Sequence, residues 1–205
     1  AVQGPNTATN TGTGTTYAYT YEGTGLTTYA ASSARPTNAG TYSVTVSLSA
    51  SGDGNYTTAT ASAAFTIAQL IPTVTPTIGT YAYSGAAQGP STATNTGTGS
   101  TYTYSYTGTE STSYGPSVTR PTNGGTYTVI ATVAANGNYA TASSSATAFT
   151  ILAVGDTYGG GIIAYILASG DSGYDADTPH GLIAASSDHS VTVKWHNVRD
   201  VYTGR

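Results

Sequence analysis

Residues 3–25, "QGPNTATNTGTGTTYAYTYEGTG", recur at 88–110 as "QGPSTATNTGTGSTYTYSYTGTE", and this duplication constrains the fold more than any other feature of the chain. The match continues from "TTYAASSARPTNAGTYSV" to "TSYGPSVTRPTNGGTYTV", then from "GDGNYTTATASAAFTI" to "ANGNYATASSSATAFTI" with a small change of length. Self-similarity at an offset of about 85 residues means one structural unit written twice. Residues 1–70 are read as the first repeat and 71–153 as the second. Residues 154–205, where the composition changes, are read as the start of a distinct and incomplete C-terminal domain.

Within each repeat the period is two, which is the period of a strand. "TYAYTYEG" puts Tyr17, Tyr19 and Tyr21 on one face, and "TYTYSYTG" does the same with Tyr102, Tyr104 and Tyr106. "GTYSVTVSL" alternates Tyr42, Val44, Val46 and Leu48, and its copy alternates Tyr127, Val129, Ala131 and Val133. Short alternating segments divided by Gly, Pro and Asn clusters predict an all-β fold of tandem Ig-like β-sandwich modules, with a partial β-rich C-terminal domain. No segment carries a helical period.

The phrase N-x-G-x-Y-x-V occurs as Asn38, Gly40, Tyr42, Val44 and as Asn123, Gly125, Tyr127, Val129. It matches the tyrosine corner, in which a Tyr hydroxyl bonds back to the backbone across the preceding turn. Val stands where an antibody domain carries Cys, as expected of a core without disulfides. "GDGNY" and "NGNY" suit turns with positive φ. Phe65 and Ile67, like Phe149 and Ile151, are expected to plug the core. Arg35 and Arg120, each before "PTN", are expected to cover an aromatic ring or pair with a carboxylate.

The copies are unequal. "IPTVTPTIGTYAYSGAA" (71–87) precedes the second and supplies about two strands, whereas only "AV" precedes "QGP" in the first. A sheet lacking such strands exposes an apolar face and unpaired backbone. Three readings are open: an excerpt of a longer array, a tolerated end module, or a subunit completed by a strand from its neighbour. No signal peptide opens the sequence, which fits a removed leader or an excerpt.

Composition excludes several function classes. Five basic residues and a net charge of -4 leave no electrostatic footprint for nucleic acid or for an anionic membrane. No stretch approaches the ~20 apolar residues of a membrane-spanning helix. With 7% charged residues, Thr, Ser, Asn and Gly must supply the polar exterior. Tyr, Thr and Val richness argues against disorder. The absence of Cys excludes disulfides and thiolate metal sites.

Chemistry-bearing patterns are few. Ser186, Asp188 and His189 share one short loop and cannot converge as a triad, and no G-x-S-x-G elbow is present. His180, His189 and His196 with Asp188 match no standard metal spacing. Asp171, Asp175 and Asp177 in "GDSGYDADTPHG" form a candidate cation loop, for calcium, but lack EF-hand spacing. "YGGGII" (158–163) has no phosphate-loop sequel and fits a bulge or close strand packing. The stripes Tyr17, Tyr19, Tyr21 and Tyr102, Tyr104, Tyr106 are candidate sugar-stacking faces, with half-buried packing the favoured alternative.

"YAYSGAAQGP" (81–90), "PTNAGTY" and "PTNGGTY", the "GNY" turns and the terminal "FTI" resemble the MBG/YDG class of Ig-like bacterial surface repeats. "VGDTYGGGIIAYILASGD" with "HGLIAASSDHSVTVKW" resembles the opening of the C-terminal domain of collagen-like adhesins (Lcl type), whose later W-x-LPS-x-x-EL phrase is missing. The resemblance implies a non-enzymatic protein of the bacterial cell surface, either a stalk or filament that self-associates, or an adhesin that binds surface glycans.

Overall fold

The computed structural model describes residues 1–176 and 178–187, and it is all-β with no helix among the described residues. In the first repeat, β1 (Tyr17–Gly23), β2 (Gly40–Leu48) and β3 (Ala59–Ile67) form an antiparallel sheet in the order β1-β2-β3. Register places Tyr17, Leu48 and Ala59 in one row, Tyr19, Val46 and Ala61 in the next, and Tyr21, Val44 and Ala63 in a third. Thr, Ser and Glu alternate with these residues, so the sheet has one apolar face.

The second repeat contains β4 (Val74–Pro76), β5 (Tyr81–Ala82), β6 (Ala93–Asn95), β7 (Tyr102–Gly108), β8 (Gly125–Val133), β9 (Ala142–Ser143) and β10 (Thr147–Leu152). The main sheet runs β5-β10-β8-β7, with β9 on β8, and β4 pairs with β6 separately. Residues 71–87 thus supply two strands, as the sequence comparison predicts. The last strand is continuous in the first repeat and split in the second. The interval from the GNY tyrosine to the FTI phenylalanine is one residue longer there, 139 to 149 against 56 to 65. An extra residue in one strand breaks the ladder, and Ser144 bridges the break by donating its N–H to the Ala131 carbonyl and accepting the Ala131 N–H at Oγ.

Beyond residue 154, β11 (Thr157–Tyr158), β12 (Gly161–Ile166) and β13 (Gly181–Ala185) form a third antiparallel sheet. Gly161 lies so close to β13 that a Cβ would sit 2.4 Å from the Ala184 carbonyl oxygen, and a register shift follows between Ile163 and Tyr165. The Gly-rich run therefore serves close strand packing and a bulge.

The chain divides into two compact units, 1–77 with 91–105 and 130–147, and 78–90 with 106–129 and the residues from 148 on. In the first unit the linker between the repeats is held by backbone. Leu70 N–H donates to the Asn138 carbonyl at 2.8 Å and Ala140 N–H to the Leu70 carbonyl at 2.8 Å. Gln69 Nε2 donates to the Gly137 carbonyl, and Asn138 Oδ1 accepts the Ala39 N–H at 2.6 Å. Both "GNY" turns carry positive φ at the glycine, 74° at Gly54 and 55° at Gly137.

Phe149 is 5% exposed and Ile151 fully buried, as expected, but Phe65 and Ile67 are only half-buried. The expectation that the first pair plugs a core in the same way is corrected: in the second repeat Tyr81 closes on Phe149 and β5 pairs beside Ile151, cover that Phe65 and Ile67 do not share among the described residues. Phe149→Ala is expected to destabilise its repeat by about 3–5 kcal/mol, since it removes a fully packed ring. Phe65→Ala should cost clearly less, and urea denaturation of the two variants checks the ordering.

Candidate assembly site

Each repeat builds the same aromatic cage from residues at equal positions. Tyr42 stacks on Phe65 at 5.4 Å between ring centroids, and Tyr127 stacks on Phe149 at 5.4 Å. Tyr21 and Tyr106 meet these Phe rings edge-on. A buried phenol must find a hydrogen-bond partner, and here every partner is backbone. Tyr42 hydroxyl donates to the Asn38 carbonyl and Tyr127 hydroxyl to the Asn123 carbonyl, both at 2.8 Å, which is the bond a tyrosine corner requires. Tyr21 hydroxyl donates to the Pro5 carbonyl and Tyr106 hydroxyl to the Pro90 carbonyl. Burial raises the pKa of Tyr21 and Tyr127 above the ordinary phenol value, which keeps these donors protonated.

Gly40 and Gly125 serve the corner through their lack of a side chain. A Cβ on Gly40 would come within 2.7 Å of Thr27 Oγ1, and one on Gly125 within 2.6 Å of Thr112 Oγ1. Those hydroxyls accept the N–H of Thr41 and of Thr126. Arg35 and Arg120 each send Nη1 to a glycine carbonyl of "QGP", at 3.3 Å from Gly4 and 3.5 Å from Gly89. The guanidinium helps fix the chain that carries Pro5 or Pro90 over the cage.

The repeats differ below the cage. In the second, Val74 of β4 packs with Ala131, Val133 and Ala142, and Ala93, Tyr102 and Tyr104 complete the cluster. Tyr81 of β5 adds a third ring against Phe149. In the first, Tyr17, Tyr19, Val46 and Leu48 stay half-buried and Ala59, Ala61 and Ala63 exposed. Residues 8–10, which match β6, form no strand, and Pro5 is exposed where Pro90 is buried. Among the described residues, an apolar sheet face and the outer edge of β3 are open together.

The candidate sugar-stacking stripes point into this architecture. Tyr21 and Tyr106 are each 1% exposed and offer no ligand face, while Tyr17, Tyr19, Tyr102 and Tyr104 are half-buried. Tyr17 and Tyr102 hydroxyls each accept from an asparagine, Asn10 and Asn95, which also grips the Gly14 or Gly99 carbonyl. These asparagines escape a search for chemistry, yet their recurrence in "TATNTGTG" marks them as turn hubs.

In the candidate cation loop, Asp171 Oδ2 accepts the Ala168 N–H at 2.8 Å and the Tyr165 hydroxyl at 2.7 Å, which lowers its pKa and raises that of Tyr165. Asp175 Oδ1 accepts the Thr178 N–H, and Asp177 lies outside the described residues. Among the described residues no group of three or more His, Asp or Glu side chains is placed to hold a metal ion. His180 Nδ1 lies 2.9 Å from the Gly173 carbonyl oxygen, and Ser186 is exposed. Asp188, His189 and His196 lie outside the described residues. A pocket of about 110 Å³ in the second unit is lined mainly by apolar side chains, among them Ala82, Leu152, Ile163 and Leu182, with His180 at its wall.

A clasp joins the "TGTG" loop to the "GNY" turn in both repeats, by different chemistry. Asp53 carboxylate accepts the hydroxyls of Ser51 and Thr13 and the Asn55 N–H in the first, whereas Asn136 Nδ2 donates to the Thr98 carbonyl in the second. The Ser51, Thr13 and Asn55 bonds hold the Asp53 pKa far below the usual carboxylate range. A depressed folded-state pKa contributes stability above the unfolded value of about 4 and loses it as pH falls further. The melting-temperature gap between the wild type and Asp53→Asn should therefore be present at neutral pH and shrink below about pH 4.

No family model, curated protein or solved structure matches the chain.

Proposed function

We propose that the chain is a non-enzymatic structural protein of the bacterial cell surface, in which tandem Ig-like sandwich modules of the MBG/YDG class form a stalk or filament that carries a collagen-like-adhesin (Lcl) type domain. Its work is mechanical. The observation that carries this reading is the joint between repeats: the linker is held to the second repeat's turn by two backbone hydrogen bonds, and Asn138 reaches across to the first. A stalk needs such a joint, because a free linker would let each module swing independently. Repetition of one cage, with each hydroxyl tied to backbone, pins the same loops in both modules.

Strand complementation between subunits is the proposed mode of assembly, since β3 ends its sheet and main-chain pairing at a sheet edge is a recurrent way of joining polypeptides. Negative-stain images of the purified chain are expected to show short rods of constant bend. Leu70→Pro removes the N–H that Asn138 accepts, and it should broaden the distribution of bend angles without unfolding either repeat. Rods that bend freely in the wild type would defeat the stalk reading.

A further inference from the structure

Asn-Gly occurs at 123–124 and at 136–137, both in the second repeat; the first repeat has Asn38-Ala39 and Asp53-Gly54 at the matching places. In an Asn-Gly pair the glycine nitrogen, with no Cβ beside it, can close on the asparagine Cγ. The two pairs are held very differently. The Asn123 carbonyl accepts the Tyr127 hydroxyl at 2.8 Å, and a Cβ on Gly124 would stand 2.5 Å from that of Ala153. Asn136 instead stands at the tip of a hairpin. Its N–H donates to the Tyr139 carbonyl at 2.9 Å and its carbonyl accepts the Tyr139 N–H at 3.0 Å, with Gly137 at φ 55° between them. Neither bond uses the Gly137 N–H, residues 134–138 are all exposed, and a Cβ on Gly137 would meet nothing within 4 Å among the described residues. The Asn136 side chain is tethered through Nδ2, which donates to the Thr98 carbonyl at 2.9 Å.

We propose that Asn136 is a site of self-modification, at which the chain loses a side-chain amide with water as the only co-reactant. The Gly137 nitrogen gives its proton to solvent base and attacks Asn136 Cγ. A Cγ–N bond forms, the Cγ–Nδ2 bond breaks, and Nδ2 takes up a proton and leaves as ammonia. One water then opens the five-membered imide. Cleavage at Cγ restores the main chain and leaves Asp; cleavage at the main-chain carbonyl leaves isoaspartate, whose main chain runs through Cβ and Cγ. The sum is one water consumed and one ammonia released, with no change of oxidation state.

The place of this turn gives the change a consequence. The Gly137 carbonyl accepts Gln69 Nε2, the Asn138 carbonyl accepts the Leu70 N–H, and the Asn138 side chain bonds to Asn38 and Ala39. Isoaspartate lengthens the main chain inside a turn whose length sets its geometry, so the Asn136–Tyr139 bonds cannot both persist and the acceptors facing the linker move with them. Conversion also removes the Nδ2 donor and sets a carboxylate against the Thr98 carbonyl. The first repeat is spared, because Asp53 already carries a carboxylate there, satisfied by Ser51, Thr13 and Asn55. Ageing of one exposed amide thus loosens the joint between the repeats.

The test incubates the full chain in mildly alkaline buffer and follows it by peptide mass mapping. The peptide holding Asn136 should gain the mass of an amide-to-acid change, faster at higher pH, with isoaspartate detected by methyl transfer from S-adenosylmethionine. Conversion at Asn123 should be about fivefold slower or more, since its turn must also break a hydrogen bond to open. In the aged protein, amide exchange at Leu70 and Ala140 should quicken about fivefold or more, the loss of one such bond, while β8 keeps its protection. Asn136→Gln, whose longer side chain closes the imide ring far less readily, should exchange alike fresh and aged. No conversion at Asn136, or equal conversion at Asn123, overturns the site; conversion that leaves Leu70 and Ala140 exchange unchanged overturns its effect on the joint. The chemistry stands whether or not the chain is a stalk, which is judged by the bend of rods formed by the unaged protein.

Discussion

Satisfying buried phenols is the constraint on which the rest of this structure depends. The chain has two Phe, no Met and few large aliphatic residues, so tyrosine has to fill its cores. Each buried ring brings a hydroxyl whose desolvation is costly unless it is hydrogen-bonded. Tyr21, Tyr42, Tyr106 and Tyr127 all send that hydroxyl to a backbone carbonyl, and among the described residues no buried side-chain nitrogen or oxygen lacks a partner. Those bonds decide where the loops run. The "QGP" segment lies over the cage because Pro5 and Pro90 supply an acceptor there, and the "PTN" turn is set by the carbonyl of Asn38 or Asn123. Tyr29 and Tyr114 repeat the principle half-exposed, packing edge-on against the corner tyrosines and bonding to the carbonyls of Ala34 and Thr119.

Because the cage is self-sufficient, a repeat can hold its upper half without the strands that complete the lower. Tyr21, Tyr42 and Val44 are as deeply buried in the first copy as Tyr106, Tyr127 and Val129 in the second. The difference is confined to the rows beneath, where Val46 and Leu48 lack what Val74 gives Ala131 and Val133. Hydrophobic burial and hydrogen-bonded pinning thus separate along one sheet.

The period-two stripes, the corner motif and the strands supplied by 71–87 were legible in the sequence because each depends on local spacing, and comparing two copies cancels the noise in either. The half-burial of Phe65 was legible only in what precedes each copy and not in its own neighbourhood, since its local sequence matches that of Phe149. The partners of Arg35 and Arg120 were missed for a related reason: their acceptors are main-chain carbonyls, which no side-chain pattern announces. Asp171 lies in a loop whose composition suits either solvation or a cation, and what composition does not announce is that its Oδ2 accepts from Ala168 and Tyr165 in a turn.

The extra residue between Tyr139 and Phe149 also bears on how neighbouring copies avoid being confused during folding. Adjacent segments of near-identical sequence are prone to exchange strands, and such misassembly is a characteristic failure of repeat proteins. The strand of the first repeat pairs without interruption from Leu48–Ala59 to Gly40–Ile67, whereas that of the second needs the break at Ser144. If β3 entered the second repeat, its Ala59 end and its Phe65 end could not both be in register, and a slip of one residue turns every side chain to the opposite face. A single inserted residue therefore gives two nearly synonymous strands separate addresses.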